Sequence, residues 1–281
     1  MRAVLKCLLV STVASILIKE NKKEDELVKL PALDLNPDTI TVSGGSSGGY
    51  FCNMMLIIYS KTIKGCGDIA GGPWKIGEDK HKAWTSEALT DFIVKDIKKS
   101  GENGMIDDPA NLKGATLATL IETKDWLAPT VWKEAEIASF NALGVNTYSR
   151  TINIYHLWPR GNSSEPKGEC TNLAISKKQS DEFRLPCDYD WTGEMLKHML
   201  FNIPDSGFSE QTWNPREGGE HDGTWIKFDQ REFVEDHPNS AISDMGQVYI
   251  PHSCEKNSKQ CHLHVYFHTC KDLGDHDQIK H

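Results

Sequence analysis

No apolar run in this sequence is long enough to cross a bilayer: the longest, residues 8–18, is well short of the roughly 20 residues a helical span needs. Basic residues are also in short supply. Against 40 Asp and Glu there are 31 Lys and Arg, a formal net charge of −9, so a nucleic-acid surface would have to be assembled against the field of the whole protein. Nucleic acid is therefore excluded as an expected partner, as is a membrane span. No repeat period or low-complexity tract is present, and 22 Gly and 12 Pro are too few for a collagen-like or linker chain.

What is present fits a soluble globular protein: 281 residues, 38% hydrophobic and 25% charged, enough for one large domain or two small ones. The first residues place Arg2 and Lys6 around a mostly apolar run that ends at Ile18, the grammar of a signal peptide. Residues 1–19 are read as that peptide and residues 20–281 as a single secreted domain. Lys6 and the lack of a small-x-small cleavage site keep open the alternative of an amphipathic first helix in a cytosolic protein. If Cys7 leaves with the signal, seven of the eight cysteines remain, an odd count for an exported chain. Cys254 and Cys261 bracket a polar turn between two strand-like runs, the place for a hairpin-closing disulfide. Cys170 with Cys187 and Cys52 with Cys66 are further pairings, which leaves Cys270 unpaired. The sequon Asn162-Ser163-Ser164 agrees with export.

Along the chain, residues 39–43 have β character, a glycine-rich break follows, and residues 50–60 are apolar and helix-compatible: strand, tight turn, helix. Residues 67–73 form a short segment ending in turn residues. Residues 115–122 are apolar enough for a buried strand, though their composition would also suit a helix. Thr130 is expected to cap a helix running to Leu143, with Gly144 as its stop. Residues 145–155 alternate as a strand and deliver His156 at their end. This alternation predicts an α/β sheet with helices on its faces and ligands at the strand C-terminal ends. Three later strands, at 225–233, 246–253 and 262–268, are read as part of the same sheet, with a small β appendage as the alternative.

A serine hydroxyl attacks only when a base takes its proton and a sharp turn exposes its oxygen beside a helix start. The pentapeptide G-x-S-x-G fits twice, centred on Ser46 or on Ser47, within Gly44-Gly45-Ser46-Ser47-Gly48-Gly49. The first register is preferred, because it leaves two glycines after the serine where the helix must approach the sheet. A phosphate-binding loop is the other reading, but no Lys-Ser/Thr follows at P-loop spacing. Asp125 and His156 follow in the order Ser, Asp, His, each after an expected strand, so His156 is assigned as base and Asp125 as its orienting acid. Asp107 and Asp108 compete with Asp125. His262, His264, His268 and Cys270 would share one face of a strand like a zinc ladder, yet alternate residues lie about 7 Å apart, too far for three to converge on one ion. No metal and no cofactor is expected.

These blocks resemble the secreted polyhydroxybutyrate (PHB) depolymerase family of the single-domain fungal type. The stretch Leu30-Pro31-Ala32-Leu33-Asp34-Leu35-Asn36-Pro37 leading into Val42 to Tyr50 is similar to the family's start, and Val248 to Cys254 with Cys261 to Cys270 is similar to its second signature. Ala70-Gly71-Gly72-Pro73, Thr123-Lys124-Asp125, His156-Leu157-Trp158-Pro159 and Cys187-Asp188-Tyr189-Asp190 fall between them in order. The resemblance implies a circularly permuted α/β-hydrolase with helices on both faces, the nucleophile strand coming first and the usual N-terminal strands last. It implies Ser46 as nucleophile, Asp125 as acid, His156 as base and the backbone N–H groups of Ser47 and Cys270 as oxyanion hole, and it supports disulfides Cys170–Cys187 and Cys254–Cys261.

The family continues well beyond the Cys270 position, so this chain is expected to lack a C-terminal strand and helices, and Thr269 stands where the family has glycine. The expected function is a secreted serine esterase whose partner is a PHB-type polyester or short ester. The rival reading is a catalytically impaired protein that binds polyester or glycan. Peptidase and lipase activities stay open, because the three residues alone do not fix the acyl group, and the sequence leaves the oligomeric state undetermined.

Overall fold

Residues 116–122, Thr-Leu-Ala-Thr-Leu-Ile-Glu, are all buried, the signature of a central parallel strand covered on both faces. The computed structural model describes residues 27–77, 81, 83–156, 158–159, 161, 165, 167–168, 184–185, 187–204, 206–209, 223–236, 243–255 and 260–269. Its elements in chain order are β1 (Ile40–Gly45), α1 (Ser47–Ile58), β2 (Ile63–Ile69), α2 (Ser86–Glu102), β3 (Thr116–Glu122), α3 (Thr130–Ala142), β4 (Asn146–Ile152), α4 (Trp191–Phe201), β5 (Gly223–Asp229), β6 (Met245–Pro251) and β7 (His264–Phe267). Short 3₁₀ turns, a single α-helical turn at His252–Glu255 and two two-residue ladders complete them. Five strands form a parallel sheet in the order β7-β1-β2-β3-β4.

Successive side chains of a strand point to opposite faces, and here each face has its own core. On one face Val42, Cys66 and Leu117 pack with Leu56 and Ile57 of α1, Leu89, Ile93 and Ile97 of α2, and Trp132, Ala135 and Phe140 of α3. On the other, Ile69, Ala118 and Leu120 meet Trp191, Met195 and Met199 of α4. Helices therefore cover both faces, as expected. Helix α2 starts where Thr85 accepts a hydrogen bond from the Ala88 N–H (3.2 Å), and α4 where Asp190 accepts from Gly193 (2.7 Å). At Gly67 the close approach of Met195 leaves no room for a Cβ. A disulfide joins Cys52 of α1 to Cys66 of β2 and ties that helix to the sheet.

Several boundaries differ from the sequence reading. Helix α1 begins at Ser47, three residues before the apolar run, because the turn at Ser46 hands the chain directly into it. Thr130 is the first residue of α3 rather than its cap; Pro129 holds the cap position without a side-chain hydrogen bond, because its ring carries no acceptor, and its carbonyl accepts from the Trp132 N–H (2.8 Å) instead. Gly144 does stop the helix, at φ 82°.

Of the three late strands read into the main sheet, only β7 joins it, pairing with β1. Strands β5 and β6 instead form an antiparallel ribbon of their own, Trp225 beside Tyr249 with ring centroids 5.3 Å apart. The ribbon belongs to a separate compact unit whose described residues are 27–36, 223–236, 243–255 and 260–261. Within it Val28 bridges to Phe228, and a disulfide links Cys254 to Cys261. That bond closes no hairpin, because β6 pairs with β5 and β7 with β1. The expected signal peptide, Cys7, Asn162, Cys270 and the Cys170–Cys187 bond fall outside the described residues. Among the described residues no helix is long and apolar enough to cross a membrane.

Candidate active site

Strand β1 ends in two glycines, and the chain turns at Ser46 with φ 54° and ψ −116°. A positive φ is uncommon for a residue with a Cβ and is held only where the surroundings demand it. Here the Ser46 N–H donates to the Ile69 carbonyl (2.8 Å), and the Ser46 carbonyl accepts from Tyr50 (3.1 Å), which starts α1. Ser47 is exposed as the first residue of that helix, where backbone N–H groups have no intrahelical acceptor.

Asp125 follows β3 through a turn in which its N–H donates to the Glu122 carbonyl (3.0 Å). Its carboxylate is held on both oxygens. Oδ1 accepts from the backbone N–H groups of Leu127 (2.7 Å) and Ala128 (3.0 Å), and Oδ2 lies 2.6 Å from His156 Nδ1. His156 follows β4, and its Nε2 is 2.8 Å from Ser46 Oγ. An ionised carboxylate only accepts, so Nδ1 carries the proton and Nε2 is left to accept from the serine hydroxyl. The Asp125 side chain is fully buried and that of His156 is 13% exposed, so the imidazole remains within reach from outside.

The three residues singled out in the sequence thus lie in one hydrogen-bonded line at the C-terminal ends of β1, β3 and β4, and Ser46, not Ser47, is the serine on the imidazole. The competing acids are elsewhere: Asp107 accepts from the Lys61 N–H (3.0 Å) and Asp108 from Ala110 (2.9 Å) before β3 begins. The histidines considered as a metal ladder have hydrogen-bond partners. His262 Nδ1 is 2.6 Å from Thr39 Oγ1, and His264 bridges Thr41 Oγ1 (2.8 Å) and Ser43 Oγ (2.7 Å). His268 Nδ1 meets the Thr269 carbonyl at 2.8 Å.

Two buried features near these turns escape a reading by motif. One is a charged cluster of Asn53, Asp68, Lys133 and Glu136 beneath the Ser46 turn, all fully buried. A charged residue in the otherwise uncharged run Gly65-Cys66-Gly67-Asp68-Ile69 is its sequence signal, because a buried carboxylate requires a partner. The other is Glu122, 1% exposed, with neither carboxyl oxygen hydrogen-bonded.

Burial, and then the charge of Asp125, raise the Glu122 pKa well above its ordinary 4.5. Unfolded chains ionise there near pH 4.5 while the fold keeps the neutral acid, so this residue's contribution is fully present below pH 4.5 and is lost as pH rises toward the folded value. Glu122→Gln is therefore expected to match wild type in thermal stability at pH 4 and to exceed it at pH 7. Each tenfold preference for the neutral acid is worth about 1.4 kcal/mol. Melting curves at the two pH values check this, and equal differences at both would contradict it.

No protein-family model matches the chain. It is 28% identical over 268 residues to a poly(3-hydroxybutyrate) depolymerase of Delftia acidovorans, an alignment covering 89% of this chain and 49% of that protein. To a polyhydroxybutyrate depolymerase of Talaromyces funiculosus it is 26% identical over 249 residues, covering 86% of this chain and 67% of that one. This chain therefore spans about half the length of the Delftia relative. Two solved structures share the fold: a PHB depolymerase complexed with an R3HB trimer, at TM-score 0.63, and the PHB depolymerase from Penicillium funiculosum, at 0.62. Each is 24% identical and covers 86% of this chain and 72% of that one. Over most of its length the chain is thus similar in sequence to two polyhydroxybutyrate depolymerases, and it shares the α/β fold of the solved ones, with Ser46, Asp125 and His156 at its strand ends.

Proposed function

We propose that the chain is a serine esterase that cleaves a PHB-type polyester or its oligomers. The observation that carries this reading is the line Ser46 Oγ, His156 Nε2, His156 Nδ1, Asp125 Oδ2, with contacts of 2.8 and 2.6 Å. In the reaction His156 Nε2 takes the Ser46 proton as Oγ attacks the ester carbonyl, and Asp125 holds the imidazole in that tautomer and stabilises the imidazolium. The Ser47 backbone N–H, at the start of α1, donates to the oxyanion, a contact worth roughly 3 kcal/mol in such sites. The second donor implied by the family resemblance, the Cys270 N–H, lies outside the described residues. His156 returns the proton to the departing alcohol, leaving an acyl group on Ser46, and water activated by the same imidazole releases the acid.

Supports for the substrate class are the names of the relatives and the exposed, apolar Trp126 (66%) and Leu127 (41%) directly after Asp125. The disulfides Cys52–Cys66 and Cys254–Cys261 favour an oxidising compartment and, with the signal-like start, a secreted protein.

A fluorophosphonate probe tests this reading. Incubation of the full chain should label Ser46 stoichiometrically and stop hydrolysis of a 3-hydroxybutyrate oligomer, the labelled residue being read by peptide mass spectrometry. Labelling elsewhere, or hydrolysis that survives labelling, would remove the mechanism.

A further inference from the structure

The charged cluster beneath the Ser46 turn takes no part in the chemistry above, yet it lies between the two turns that chemistry needs. Asp68, at the end of β2, pairs with Lys133 Nζ and accepts from Asn53 Nδ2 (3.1 Å) through Oδ2, while its Oδ1 accepts from the Gly71 N–H (3.0 Å). Asn53 also donates to the Gly72 carbonyl (3.1 Å). Lys133 reaches Thr119 Oγ1 (3.1 Å) and Glu136 Oε2 (3.3 Å). A Cβ on either Gly49 or Gly71 would strike Asp68 Oδ1, so the first turn of α1 and the Gly71 turn rest directly on this carboxylate.

Each end of the cluster is one step from the site. Asp68 precedes Ile69, whose carbonyl receives the Ser46 N–H. Asn53 stands two turns into α1, the helix that Ser46 opens. Lys133 lies in the first turn of α3, which the chain enters from the Asp125–Ala128 turn that holds the Asp125 carboxylate. Burial opposes the Lys133 charge, and Asp68 and Glu136 outweigh it, so its pKa is raised and it is a cation at neutral pH. A buried ion pair is often no more stabilising than apolar packing of the same volume, which directs attention to what this one positions.

We propose that Asp68 and Lys133, with Asn53 and Glu136, form a positioning network that fixes the Ser46 turn against the Asp125 turn so that His156 can bond to both. The kinetic consequence rests on the esterase reading; the geometric one does not.

Two variants of the full chain test it. In the triple variant Asp68→Asn, Lys133→Met, Glu136→Gln no uncompensated charge is left buried, and in Asn53→Ala the ion pair is kept while its tie to α1 and Gly72 is cut. The triple variant is expected to fold, to lose 10- to 100-fold in kcat on a soluble butyrate ester with KM within twofold of wild type, and to lose the downfield proton resonance of the His156–Asp125 bond. Asn53→Ala should show a smaller loss of the same kind. Wild-type kcat and resonance in the folded triple variant overturn the proposal, as does a loss carried by KM alone. Failure of both variants to fold also overturns it, since the cluster would then hold the whole fold rather than two turns. If the wild type cleaves no ester, the esterase reading fails; the resonance, present in wild type and lost in the triple variant, still supports the network, and unchanged it refutes it.

Discussion

Ser46→Ala should lower kcat on a short chromogenic ester by about 10⁴- to 10⁶-fold while leaving the melting temperature close to wild type. The size follows from removing a nucleophile that works as a unit with its base, after which only binding and oxyanion stabilisation remain. Fold is spared because the Ser46 hydroxyl bonds to the exposed-side imidazole of His156 rather than to the core, and alanine retains the backbone bonds to Ile69 and Tyr50. His156→Ala should cost about as much, so the double variant should be no worse than either single one. Steady-state rates with active protein concentration set by thermal unfolding would check this, and additive losses would show that the two side chains do not act together.

A second large effect is expected at Gly48, and there it falls on the fold. A Cβ at this position would collide with the Phe267 carbonyl oxygen and lie 2.7 Å from its carbon and 2.8 Å from the His268 oxygen. All of these are backbone atoms, so no side chain can swing aside. Gly48→Ala must push α1 from β7, at a cost of about 3 kcal/mol or more, which for a protein of this size lowers the melting temperature by roughly 10 °C. Because Ser46 opens the same helix, fluorophosphonate labelling should slow as well. Gly77→Ala, where a Cβ meets nothing within 4 Å, is the matched control. Equal melting temperatures for the two variants would contradict the close approach.

How far the sequence could be read follows from which physical signals are local. The Ser46 turn is local, since a strand, small residues and a helix must be contiguous to make it, and the chain order of Asp125 and His156 places them on the same sheet edge. The separation of β5 and β6 from the main sheet was not legible, because alternating strands such as 224–228 state that a face is buried without stating against what. Cys254 and Cys261 show the same limit: the short spacing correctly suggests a bond, but the hairpin inferred from it fails because β7 finds its partner in β1. Lys133 is the hardest case. In a helix it reads as solvated surface, and only Asp68, on the sheet face that α3 covers, makes its burial possible.

The pairing of β1 with β7 joins Thr41 to His264 across 223 positions of chain. Strands β1 to β4 can zip together through neighbours close in sequence, whereas this flank must wait for a far segment to arrive and bears a larger loop-closure entropy. The bend that presents the Ser46 hydroxyl leans on that flank through Gly48, so the shape of the reactive centre depends on a contact between distant parts of the chain.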